Sequence, residues 1–166
     1  MQKTERPEEH MKDSKLLFAA SWILLLLLSL AVTLIALGSL GNAYFGAQDS
    51  LIPAVTLEEI RNLGGEEAAD AFRGRRATAA SWAFAAGVLS ALVILTSYRR
   101  AERWAWWALL VSLGLSQLLS LLRVLTIGTT SGANNAGALF GLLMLGLLMG
   151  APRIFSERHK DVARVA

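Results

Sequence analysis

Apolar residues along this chain fall into four long stretches, separated by segments that carry almost all of its charge. The stretches are residues 16–40, 77–98, 104–127 and 135–151. An α-helix rises about 1.5 Å per residue, so each of the first three is long enough to cross a hydrocarbon layer of roughly 30 Å. The fourth is at the short end of the spanning range. The pattern predicts an all-α, polytopic membrane protein: a single domain of four transmembrane helices in an up-down bundle.

Lysine and arginine are distributed unequally between the two sides of this predicted bundle. Eleven lie in the leader, in the 97–103 turn and in the tail 152–166, whereas the opposite side has only four. The side of a helix bundle that is richer in Lys and Arg normally faces the cytoplasm. We therefore expect both termini to be cytoplasmic, segment 41–76 to be external, and the protein to reside in a cell membrane, plasma or bacterial inner.

The amino-acid composition limits which binding partners and which side-chain chemistry can be expected. The chain is 54% hydrophobic and its mean hydropathy is +0.47, both high for a soluble domain. Although the pI is about 9.7, the basic residues are divided among short segments at helix ends. They indicate orientation and contact with membrane lipids, and no nucleic acid is expected as a partner. The absence of cysteine excludes disulfides and thiolate chemistry.

Aromatic residues cluster near the predicted helix ends. On the cytoplasmic side they are Trp22, Tyr98, Trp104, Trp106 and Trp107, and on the outer side Tyr44, Phe45 and Trp82. Amphipathic rings belong at the depth of the lipid headgroups, so we interpret both groups as interfacial belts.

The run 98–107, Tyr-Arg-Arg-Ala-Glu-Arg-Trp-Ala-Trp-Trp, resembles a junction in small, uncharacterised bacterial integral membrane proteins with four helices. The resemblance covers about ten residues of the chain and implies no activity.

Small residues recur every four positions on two of the predicted helices. On helix 2 they are Ala79, Ala83, Gly87 and Ala91, and on helix 4 they are Ala133, Gly137, Gly141, then Gly146 and Gly150. Such stripes allow helix backbones to approach closely. We expect them to pack inside the bundle, with contact to a partner subunit as the alternative. Helix 1, with five leucines in a row, is expected to meet lipid broadly.

Helix 3 has the only charged residue within a span, Arg123. It shares one helix face with Ser112, Ser116 and Ser120, and that face is expected to turn inward. A charged residue within a membrane is a candidate for function. Two interpretations stay open: Arg123 either snorkels or forms a structural ion pair, or it contacts a ligand.

The external segment 41–76 is expected to hold two short helices on the outer face of the bundle. Thr56 and Glu59 have the spacing of a capping box, and Gly64 suits the end of the first helix. Glu66 and Glu67 would begin the second. One of the segment's six acids is the expected partner of Arg123. These acids are Asp49, Glu58, Glu59, Glu66, Glu67 and Asp70.

Three functions fit these observations. The first is a non-catalytic accessory or scaffold subunit of a membrane protein assembly. The second is an outer-leaflet protein that binds or transports a lipid or other amphiphile, with a pocket near Arg123. Its candidate residues are Arg123, Gln117, Ser120, Asn134 and Asn135. The third, an enzyme acting on membrane lipids, has the least support, because no span contains Asp, Glu, His or Lys. Whatever the function, the expected partners are membrane lipids and either another membrane protein or further copies of this chain. No catalytic residue, cofactor or metal site is assigned.

Overall fold

A computed structural model describes residues 7–45, 57–128 and 133–156, with side chains at all of these except 7–13, 123, 127 and 133. The α-helices are α1 (Pro7–Phe45), α2 (Leu57–Thr96), α3 (Arg103–Leu109), α4 (Leu115–Ile127) and α5 (Ala133–Ser156). A 3₁₀ turn, Tyr98–Arg100, follows α2, and a π-helical turn, Leu110–Gly114, joins α3 to α4.

Four helical segments in this part of the chain are long and apolar enough to cross a membrane. They are Ser14–Phe45, Leu57–Arg100, Arg103–Thr126 and Asn134–Ser156. The third combines α3, the π turn and α4. The prediction of an all-helical chain with four helices of membrane-spanning length is therefore confirmed for the described residues.

Contacts between distant residues show that neighbouring helices are antiparallel. The pairs along α1 and α2 are Ser21 with Tyr98, Ser29 with Gly87, and Ser39 with Arg76. Residue numbers rise along one helix as they fall along the other. We call the end of the bundle that contains Ser21, Tyr98 and Arg153 the Tyr98 end, and the opposite end, where α2 begins, the Gly65 end.

Both long helices extend further than the hydropathy pattern predicts. The expected loop 41–76 is replaced largely by helix, because α1 continues to Phe45 and α2 already begins at Leu57. At about 1.5 Å per residue, α1 is roughly 60 Å long, and the part of α2 that follows Gly65 is roughly 45 Å long. The apolar pattern marks where a helix can contact lipid, and not where its backbone hydrogen bonds end. Good helix formers such as Glu66, Glu67 and Ala68 continue α2 beyond the apolar stretch.

A single glycine divides α2 where two short external helices were expected. Gly65 has φ 76° and ψ −176°, a backbone conformation that is essentially restricted to glycine. The helix before it, 57–64, corresponds to the first predicted short helix, and the break lies one residue beyond the predicted stop at Gly64. The second predicted helix is wrong, since residues 66–96 form one continuous helix. Thr56, the predicted cap, lies outside the described residues.

Helix 1 has a narrow buried face, contrary to the expectation that it meets lipid broadly. Its buried side chains recur every three or four residues: Phe18, Ser21, Leu25, Leu28, Ser29, Ala36 and Ala43. This face packs against both α2 and α5. Within the leucine run, Leu25 is fully buried whereas Leu27 is 59% exposed. Because all five positions carry the same residue, hydropathy does not distinguish the buried face within this run.

The small-residue stripe of α2 packs inside the bundle, with a different register from the predicted one. Gly87 is buried, and a Cβ atom there would lie 3.1 Å from the Thr33 amide nitrogen and 3.3 Å from the Ser29 carbonyl oxygen. Ala80 and Ser90 share this buried face, whereas Ala79 is exposed. Close approach of α1 and α2 therefore depends on Gly87.

The small residues of the α5 stripe lie in two different environments, one buried and one exposed. Gly146 and Gly150 are buried, and a Cβ atom on Gly146 would lie 2.7 Å from Leu25 Cδ2. Gly137 and Gly141 are exposed, and a Cβ atom added to either would meet no described neighbour within 4 Å. The expectation that the whole stripe packs within this chain is wrong for its first half.

Candidate functional site

The structure describes the side chains of four of the five predicted pocket residues. Ser120 is exposed and donates a hydrogen bond of 2.9 Å to a carbonyl oxygen of its own helix. Asn134 and Asn135 are exposed in the first turn of α5, whereas Gln117 is half-buried. Arg123 is part of α4, but its side chain lies outside the described part of the structure. Its ion pair with an external acid stays a prediction.

The predicted third transmembrane helix corresponds to α3, the π turn and α4. Its serine face points out of the bundle, so the prediction that this face turns inward is wrong. Ser112 and Ser116 are exposed, as is Ser120. The buried positions of this span are Ala105, Leu109, Leu113 and Gly114. Ser116 satisfies its hydroxyl by donating to the Leu113 carbonyl oxygen at 2.8 Å. A serine bonded back in this way needs no partner from another helix. The π turn, Leu110–Gly114, also interrupts the regular spacing on which the prediction relied.

Gln117 contributes the only polar side chain to a small cleft between helices. The cleft lining consists of Leu28, Val32, Leu113, Gln117, Leu139 and Leu143. Its free volume is about 10 Å³, the room that a single water molecule needs.

A chain of three buried polar groups joins α1, the 3₁₀ turn and α5 at the Tyr98 end. The Ser21 hydroxyl donates to the Gly146 carbonyl oxygen at 2.7 Å. Ser21 Oγ also lies 2.7 Å from the Tyr98 hydroxyl oxygen. Since a serine hydroxyl has one proton, Tyr98 is the donor in that second bond. The order of donation is therefore Tyr98 to Ser21 to Gly146.

Tyr98 is fully buried, so its assignment to an interfacial belt is wrong. Its ring stacks on Phe18, with centroids 5.7 Å apart. A Cβ atom on Gly150 would overlap the Tyr98 hydroxyl oxygen, so the ring needs a glycine at that position. Trp104 and Trp107 are more than half exposed, as residues of a belt would be.

Further hydrogen bonds hold the helices together from side chain to backbone. Ser29 donates to the Gly87 carbonyl oxygen at 2.8 Å. The indole Nε1 of Trp106 donates to the Leu147 carbonyl oxygen at 2.9 Å. Arg103 Nε donates to the carbonyl oxygen of Ile154 at 3.3 Å. In an apolar medium such bonds provide specific contacts that dispersion alone does not.

Arginine side chains at the Tyr98 end lie over aromatic rings. The Cζ atom of Arg153 is 4.6 Å from the ring centroid of Phe18, and that of Arg99 is 4.7 Å from the ring of Trp22. Arg103 lies 5.7 Å from the Phe155 ring. Each distance is within the range of a cation–π interaction.

Arginine residues at the Gly65 end pair with carboxylates instead. Arg61 Nε lies 2.8 Å from Glu66 Oε1, across the Gly65 break, and Arg73 Nη1 lies 3.8 Å from Asp70 Oδ1. Both acids are 70% exposed, so each pair is worth little free energy. Among the described residues, no group of three or more His, Asp or Glu side chains is placed to hold a metal ion.

The hydrogen-bond chain from Tyr98 through Ser21 to Gly146 was not predicted, because little in the sequence distinguishes its residues. Ser21 and Ser29 are single hydroxyls in an apolar stretch, and Tyr98 borders a basic turn. One signal was available: Ser21, Leu25 and Ser29 repeat every four residues, as Gly146 and Gly150 do on α5. Comparison with models of known families, with curated proteins and with solved structures found no match to this chain.

Proposed function

We propose that this protein is a non-catalytic accessory or scaffold subunit of a membrane protein assembly. The observation that carries the proposal is how the described polar groups are used. Among the described residues, the hydrogen bonds between distant segments tie one helix to another or to the 3₁₀ turn, and most end on backbone carbonyls. The cleft that Gln117 lines has room for about one water molecule. The polar groups of the bundle thus serve its own packing.

Orientation in the membrane is part of this proposal. The excess of Lys and Arg at the Tyr98 end supports a cytoplasmic location for both termini, in the plasma or inner membrane. The Gly65 end, with its exposed ion pairs, would then be external. In this arrangement the extended parts of α1 and α2 project beyond the shorter α4 and α5 on the outer side.

The first half of the α5 stripe supports contact with another subunit. Gly137 and Gly141 lie one turn apart, and nothing in the described chain comes within 4 Å of a Cβ position on either. Small residues at this spacing are typical of helix–helix contacts in membranes. Another membrane protein would therefore present a transmembrane helix to this face.

Purification from membranes in a mild detergent, followed by native mass spectrometry, tests the proposal. We expect a second membrane protein in fixed stoichiometry with this chain. The contradicting result is a monomer or a homo-oligomer that carries lipid and no other protein. That outcome would favour the second candidate, an amphiphile-binding protein, for which Gln117 in the cleft is the one supporting observation in the described residues.

A further inference from the structure

Two arginines at the Tyr98 end have no carboxylate partner among the side chains that the structure describes. Arg99 and Arg153 lie over Trp22 and Phe18, two rings that are one turn apart on α1. Among the described residues, no Asp or Glu forms an ion pair with either arginine. Glu102, three residues after Arg99, already accepts a 2.6 Å hydrogen bond from the indole nitrogen of Trp104, and Glu157, four residues after Arg153, lies outside the described part of the structure.

The two ends of the protein differ in this respect. Arg61 and Arg73 at the Gly65 end have carboxylate partners within the chain. Arg99 and Arg153 have rings instead, and a ring occupies the face of a guanidinium group but not its edge. The N–H donors of a guanidinium lie in its plane, so stacking leaves them free for an anion. No described side chain supplies that anion.

The position of these arginines in the bundle indicates which kind of anion would bind to them. Phe18 and Trp22 follow the beginning of the first apolar span at Ser14, Arg99 lies at the end of the second, and Arg153 lies near the end of the fourth. All are therefore level with one edge of the apolar part of the bundle. In a bilayer this edge is at the depth of the lipid phosphates.

We propose that Arg99 and Arg153, fixed over Trp22 and Phe18, form a binding site for the phosphate of an anionic phospholipid headgroup. The planar guanidinium forks match the oxygens of a phosphate group, and two positive charges favour a lipid with net negative charge over a zwitterionic one. The stacked rings fix both side chains beforehand, which lowers the entropy lost on binding. The site is independent of whether a partner subunit occupies α5.

Native mass spectrometry of the detergent-solubilised protein, titrated with phosphatidylglycerol or phosphatidylcholine, tests the site. We expect a preference for phosphatidylglycerol that falls about fivefold for each of Arg99→Gln and Arg153→Gln. The matched controls are the single variants Arg61→Gln and Arg73→Gln, each of which removes the same one charge at the Gly65 end and should leave the preference unchanged. Equal loss in the controls would overturn the site, because only net charge would then matter.

A lysine variant controls for misfolding, and competition with inorganic phosphate tests whether the bound phosphate belongs to a lipid. The variant Arg99→Lys with Arg153→Lys keeps both charges but not the planar forks, and we expect it to lose part of the preference. Retention of the full preference by this lysine variant would overturn the proposed geometry. Millimolar inorganic phosphate should not displace the bound lipid. If it does, the arginines bind a soluble anion and the assignment to lipid is wrong.

Discussion

At the scale of single residues, Ser21 has an unusual role, because its hydroxyl group both accepts and donates a buried hydrogen bond. Its loss leaves the Tyr98 hydroxyl buried without an acceptor. Loss of the Tyr98 hydroxyl, in contrast, leaves Ser21 still bonded to Gly146. Stranding a buried donor costs more than a hydrogen bond contributes, so the two substitutions are not equivalent.

We expect Ser21→Ala to lower the free energy of unfolding by about 2 kcal/mol and Tyr98→Phe by about 1 kcal/mol. The double variant should cost less than the sum of the two, because the stranded donor is removed as well. Thermal or denaturant unfolding in detergent provides the measurement. Tyr44→Phe and Ser120→Ala, both at exposed positions, are the matched controls. An additive double variant would show that the two hydroxyls do not interact.

Residue-level detail was the least predictable part of this protein. The sequence singled out Arg123 and Ser120 because polar residues within a span are conspicuous, yet the serine satisfies its own hydroxyl. Tyr98 and Ser21 were overlooked, since their role depends on a contact between residues 77 positions apart. Hydropathy identifies a helix from local residues, but it contains no information on which residues of other helices lie opposite.

At the scale of the helices, their number and approximate positions followed directly from hydropathy, and their ends did not. The ends of α1 and α2 depend on backbone propensity and on single residues such as Gly65, beyond the apolar stretches. The buried face of α1 could not be identified within a run of identical leucines. The π turn Leu110–Gly114 was not predicted from the sequence either.

Gly65 offers a test at this scale. Gly65→Ala should lower the stability of the 57–64 helix by about 1–3 kcal/mol, because alanine at φ 76° is strained. Gly74→Ala, at an open position in the part of α2 that follows the break, should be neutral or stabilise that part by up to about 1 kcal/mol, and should leave residues 57–64 unchanged. Amide hydrogen exchange of residues 57–64 is the measurement. Unchanged exchange in the Gly65 variant would mean that the break does not exist in the membrane-bound protein.

At the scale of the whole molecule, the direction of insertion is open to a direct test because the chain has no cysteine. Single cysteines at Ser14, Glu66 and Ser156 place thiols at the two ends of the bundle. With an impermeant thiol reagent on intact cells, we expect labelling at position 66 only, because the Lys- and Arg-rich Tyr98 end should be cytoplasmic. Labelling at positions 14 and 156 but not at 66 would reverse the topology.

The face of α5 that contains Gly137 and Gly141 points away from the bundle, and packing within the described chain does not explain why it carries glycines. Gly146 and Gly150 are needed where α5 meets α1 and Tyr98, whereas Gly137 and Gly141 contact nothing in the described chain. If these two residues served only the fold, larger side chains there would be tolerated without any effect. A role in assembly predicts a different result, in which stability is retained and the partner is lost.

Recovery of the partner protein with the Gly141→Leu variant in mild detergent tests the role as a subunit most directly. Its matched control is Gly38→Leu, the same substitution at an equally open glycine on α1. We expect the melting temperature of both variants to equal that of the unmodified protein, and only Gly141→Leu to lose the stoichiometric partner. Full recovery of the partner with Gly141→Leu, or equal loss with Gly38→Leu, would contradict assembly through this face of α5.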